Sequence, residues 1–100
     1  MRIARVIGTV CLSRMHPAFQ GARWKLVQPY SLDALQKNQP DAEELVIFDE
    51  LGAGMGSMVG ISEGAEATMP FRPDKKPLDA YCTCILDSIQ LSAISIESRK

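Results

Sequence analysis

The chain has 100 residues, 46% of them apolar and 23% charged, with a formal net charge of −1. That length suits one domain, and the composition is that of an ordinary globular protein rather than a disordered one. The near-neutral balance gives no long-range attraction to nucleic acid or to an anionic membrane, and no apolar run approaches the roughly 20 residues that cross a bilayer.

The N-terminal stretch MRIARVIGTVCLSR carries Arg2 and Arg5 within an alternating pattern. It lacks the uninterrupted apolar core and cleavage site of a secretory signal, so a cytoplasmic protein is expected. Cys11, Cys82 and Cys84 are three in number, an odd count that fits reduced thiols. Residues 2–12 alternate with period two, placing Ile3, Arg5, Ile7, Thr9 and Cys11 on one face and Ala4, Val6, Gly8 and Val10 on the other. This predicts a first strand. Residues 13–22 hold Pro17 and Gly21 and read as a loop. Residues 23–29 (RWKLVQP) read as a second strand ended by Pro29, which has no N–H to give to a ladder. Residues 31–44 are polar and broken by Pro40, a long connection with one helical turn capped by Ser31.

Residues 45–51 (LVIFDEL) are too few for a helix and predict a buried strand, with residues 58–61 as another after a glycine turn. Residues 63–68 suit one helical turn, and residues 69–77 form a proline-rich, charged loop. Residues 78–91 alternate as one segment, with Tyr81, Thr83, Ile85, Asp87 and Ile89 opposite Cys82, Cys84, Leu86 and Ser88. Residues 93–97 make a weak final strand. Five or six short strands with little helix predict an all-β fold, a small barrel or sandwich.

The glycines of DELGAGMGSMVGISEG, residues 49–64, raise the question of a phosphate cradle. A dinucleotide loop needs G-x-G-x-x-G leading into a helix, and a Walker loop needs Lys followed by Ser or Thr. Here the spacing is G-x-G-x-G and a β-like SMVGIS follows, so tight turns or close backbone approach explain the glycines better. Three cysteines and one histidine fall short of a structural zinc set, and His16 has no evident catalytic partner. Asp49 and Glu50 point to opposite faces of a strand, which leaves one of them solvated. Trp24 between Arg23 and Lys25 is the only aromatic–basic cluster and suits packing on a barrel face better than stacking on a base. No catalytic, cofactor or metal residue is assigned. A single-stranded nucleic-acid binder built on an OB barrel is the alternative reading.

Four segments in order then carry a resemblance: RIARVIGTV at residues 2–10, KLVQ at 25–28, DELGAGMG at 49–56 and KPLDA…ILDSI at 76–89. Over residues 1 to about 90 the chain resembles the EutN/CcmL family, the pentameric vertex proteins of bacterial microcompartment shells. The resemblance implies a five-stranded, OB-like β-barrel assembled as a homopentamer, a structural partner of hexameric shell proteins in the cytoplasm, with no enzymatic activity, cofactor, nucleic acid or membrane. It places Gly52, Ala53, Gly54 and Gly56 on a loop near the fivefold axis. Arg5, Gly8, Lys25, Asp49, Pro77, Asp79 and Asp87 fall among its motif or interface positions. One departure is that many members carry a small-residue turn ending in Arg after the fourth strand. Residues 62–67 (SEGAEA) are acidic there, and residues 69–76 form an insert.

Overall fold

The computed structural model describes residues 1–15, 17–19, 23–73, 78–92 and 94–97. Five strands close into a barrel: β1 (Arg2–Val10), β2 (Arg23–Tyr30), β3 (Leu45–Asp49), β4 (Met58–Glu63) and β5 (Ala80–Leu86), in the order β1-β2-β3-β5-β4. All neighbours are antiparallel except β3 and β5, which run parallel and meet at Phe48 and Tyr81. The all-β expectation and the five-stranded barrel are thereby met.

Alternation places the core as expected. Ala4 and Val6 of β1 point inward with Val27, Ile47, Ala53, Val59, Ile61, Ala80 and Cys82, each no more than 1% exposed. Two irregularities let so few strands bend into a closed tube, because a bulge adds a residue and sharpens the twist. One lies between Val6 and Gly8 against β2, the other between Gly60 and Ile61 against β5. Gly60 sits opposite both Ile3 and Cys84. A Cβ there would stand 2.7 Å from Cys84 Sγ and 3.0 Å from Met1 Sδ. Close approach of backbones therefore requires glycine at this position.

The connections hold more regular structure than expected. Helix α1 (Leu32–Lys37) is six residues rather than one turn. Ser31 Oγ accepts from the Ala34 N–H at 3.1 Å, and Asn38 ends the helix in the left-handed region at φ 54°. Helix α2 (Ala65–Thr68) is the single turn expected, and a 3-10 turn follows over Met69–Phe71. Strand β2 runs one residue beyond Pro29, which pairs with Ala4.

The largest difference concerns residues 78–91, which do not form one strand. β5 ends at Leu86, where its partner β4 begins with Met58, so the barrel offers no further ladder. The chain turns at Asp87 into β6 (Ser88–Leu91), which pairs antiparallel with β7 (Ile94–Glu97) as a separate two-stranded sheet. The weak final strand is found; Ala93 lies outside the described residues.

Outside the barrel, a second apolar cluster gathers Phe48, Ala67 and Leu78 with Phe19, Trp24, Phe71 and Tyr81. Trp24 stands edge-on to Phe19 at 4.9 Å and to Phe48 at 5.4 Å between ring centroids, a favoured aromatic geometry. The packing role expected of Trp24 is the one observed. No helix among the described residues is long and apolar enough to cross a membrane.

The Gly60 site gives a direct check on the barrel. Gly60→Ala is expected to lower stability by about 1–3 kcal/mol through overpacking. Adding Cys84→Ala, which removes the nearest atom, should recover part of that loss in urea unfolding.

Candidate functional site

The connection from β3 to β4 carries the glycine run, and Asp49 organises it. Asp49 is the last residue of β3 and is fully buried. Its Oδ1 accepts from the Leu51 N–H at 2.9 Å and its Oδ2 from the Ala53 N–H at 2.8 Å. A short acidic side chain that binds the backbone just ahead of it makes a turn and ends the strand. This is why β3 stops at Asp49 instead of running to Leu51. Glu50 points to solvent, as expected for one member of the pair, and accepts from the Tyr81 hydroxyl at 2.8 Å.

Two glycines of the run take conformations that L side chains avoid: Gly52 at φ 77° and Gly56 at φ 83°. Between them the chain dips inward, so that Ala53 joins the barrel core. The far end of the loop is tied to β1. The Gly56 N–H donates to the Val6 carbonyl and the Val6 N–H to the Ser57 carbonyl, each at 2.9 Å. Arg5 Nη1 donates to the Gly56 carbonyl at 2.8 Å.

Arg5, Asp49 and the four loop residues Gly52, Ala53, Gly54 and Gly56 thus meet at one end of the barrel. Asp87 joins them there: with Gly52, Gly54, Ser57 and Ile85 it lines a shallow cavity of about 430 Å³. The other positions lie elsewhere. Gly8 follows the bulge, and a Cβ there would meet Leu26 at an ordinary 3.5 Å. Lys25 sits mid-strand on β2, paired with Thr9 and Ile47. Asp79 precedes β5, and its carbonyl accepts the Gly64 N–H at 2.8 Å. Pro77 lies outside the described residues.

Several contacts were not foreseeable from the chain order. Glu63 of the acidic 62–67 segment pairs with Arg2 at 2.5 Å, sixty-one residues away in sequence. Ser62 and Thr83 join their hydroxyls at 2.7 Å. Gln28 Nε2 donates to the Ala42 carbonyl and holds the α1–β3 connection against β2.

The chemistry of the site is quiet. Burial, followed by the neighbouring Asp49 carboxyl, pushes the Cys82 thiol from its ordinary 9.0 up to about 12. A thiol so disfavoured as thiolate is a poor nucleophile. Burial and then the bond to Glu50 raise the Tyr81 hydroxyl to about 12. Among the described residues no group of three or more His, Cys, Asp or Glu is placed to hold a metal ion. The loop's inward amides are occupied by the chain's own carboxyl rather than offered to an anion.

A family model described as ethanolamine utilisation protein EutN/carboxysome matches residues 1–87. The chain belongs to this family. The match covers 87 of its 100 residues. It is 33% identical to the carboxysome shell vertex protein CcmL of Synechococcus elongatus, over all of this chain and 97% of that protein. The solved structure of Gloeobacter violaceus CcmL superposes with a TM-score of 0.83 at 30% identity, covering 99% of this chain and 98% of that one. The GrpN pentameric microcompartment shell protein from Rhodospirillum rubrum superposes with a TM-score of 0.76 at 27% identity, over 91% of this chain and 99% of that one.

Two outcomes test the site. Asp49→Ala leaves the Leu51 and Ala53 amides without their acceptor and is expected to cost at least about 2 kcal/mol in denaturant unfolding, Asp49→Asn less. For Cys82 the folded pKa lies above the unfolded one, so the unfolded chain releases the proton first. Its contribution is intact below pH 9 and is lost as pH rises toward 12. The melting temperature should therefore fall more steeply across that window in the wild type than in Cys82→Ala.

Proposed function

We propose that this chain is a structural, non-enzymatic shell protein that forms a homopentamer and caps the vertices of a bacterial microcompartment in the cytoplasm. The observation that carries this reading is the full-length likeness to shell vertex proteins, one of them pentameric in its solved structure. Geometry supplies the reason for such a part. A sheet of hexagonal tiles lies flat, and fivefold units introduce the curvature that closes it. A cyclic ring uses heterologous contacts that end on themselves, and those contacts bury surface that a chain of this size leaves exposed. Hexameric shell tiles are the neighbours such a ring would meet.

The glycine loop belongs near the fivefold axis in this reading. There, five copies of any side chain crowd one another, so Gly52, Gly54 and Gly56 leave room that larger residues would fill. Ala53 contributes differently, because its methyl group is buried within its own barrel. The loop's internally satisfied backbone suits a packing element better than a ligand site.

Native mass spectrometry of the purified chain tests the assembly. A species of five chains of 11.0 kDa each is expected, with Gly54→Phe shifting the distribution toward smaller species. A stable monomer or dimer of the wild type would refute the reading, and a Gly54→Phe chain that assembles unchanged would remove the loop from the axis.

A further inference from the structure

Cys82 and Cys84 stand two apart on β5, and in a regular strand they would share a face. The structure separates them. Ile61 of β4 pairs with Cys82 while Gly60 pairs with Cys84, so Thr83 is the extra residue of a bulge on β5. Cys82 stays in the barrel core, fully buried. Cys84 is outside that cluster and half-buried, with a free thiol.

The Cys84 thiol has a second sulfur beside it. The position that a Cβ on Gly60 would take lies 2.7 Å from Cys84 Sγ and 3.0 Å from Met1 Sδ. The two sulfurs are therefore no farther apart than those distances summed, and both overhang the bare backbone of one glycine. Strand order explains the meeting: Gly60 pairs with Ile3 of β1 on one side and with Cys84 of β5 on the other. Met1, just ahead of β1, is 78% exposed, so solutes reach the pair.

The donor types select the ligand. A thiolate and a thioether are soft donors, which suit Cu(I) and do not suit hard cations such as magnesium or calcium. A structural zinc ion takes four ligands, and among the described residues no three of His, Cys, Asp and Glu come together. Cu(I), a closed-shell ion, is satisfied by two sulfurs in line. The remaining thiols compete poorly: Cys82 is buried and held as a thiol, and Cys11 follows the opposite end of β1.

We propose that Met1 and Cys84 form a two-sulfur site for a single Cu(I) ion on the outside of the barrel, with Gly60 as its floor. Binding displaces the Cys84 proton to solvent, and the thiolate balances the charge of the ion. The Met1 sulfur donates a lone pair, and no oxidation state changes. Gly60 leaves open the space between the sulfurs that any side chain would fill. The site does not depend on the pentamer reading, because one chain supplies both ligands.

The test uses reduced protein, free of oxygen, in a Cys11→Ser background that removes the exposed thiol. Cu(I) is titrated in competition with bicinchoninate, a coloured Cu(I) chelator. The chain is expected to withdraw one equivalent, and Cys84→Ser to lose that binding. The thioether is read separately, by NMR of carbon-13-labelled methionine methyl groups. Of the five signals, only that of Met1 should shift with Cu(I), and none should in Cys84→Ser. Leu substitutions at Met15, Met55, Met58 and Met69 assign the other four. If Cys84→Ser fails to fold, mass spectrometry of the Cys11→Ser chain should show Cu(I) protecting Cys84 from iodoacetamide. Copper left with the chelator, binding that survives Cys84→Ser, a Cys84 that stays unprotected, or a Met1 signal that does not move each overturns the two-sulfur site.

Discussion

The buried carboxyl group of Asp49, holding the amides of Leu51 and Ala53, sets the geometry at one end of the barrel. A buried acceptor without donors is costly, and so are buried donors without an acceptor; here each satisfies the other. The turn it makes ends β3, directs Ala53 into the core and brings the chain round to begin β4 beside β1. Gly52 and Gly56 supply the left-handed backbone that this path needs, and Arg5 fastens its far side. Closure then follows, since β4 bridges β1 and β5.

That arrangement also explains why a glycine-rich run here is not a phosphate loop. A phosphate cradle presents free amides at the start of a helix. In this chain the amides that turn inward already face an internal carboxyl, and a strand follows. Cys82, packed beside the same carboxyl, is held as a thiol. The end of the barrel is thus built to be rigid, and rigidity is what a repeated structural tile requires of each copy.

Much of the barrel was legible in the chain because local patterns decide it. Ala4 and Val6 alternate with solvent-facing neighbours, and the run 45–49 is short, branched and apolar. The four family segments were legible for the same reason: they are local strings. What escaped depends on partners distant in sequence. The break at Asp87 is invisible in an alternating run, because it arises where β4 runs out of residues to pair. The aromatic cluster joins Phe19, Trp24, Phe48, Phe71 and Tyr81 across four connections, with no periodicity to announce it. Glu63 finds Arg2 only because β4 lies beside β1. Asp49 was placed on a strand, but its role appears only once the loop folds back over its side chain.

Amide hydrogen exchange at Ala53, measured with and without added inorganic phosphate, tests most directly whether this loop is internally satisfied. Strong protection in the wild type, unchanged by phosphate and lost in Asp49→Ala, is the result this account predicts. Fast exchange in the wild type that becomes protected only when phosphate is added would contradict it.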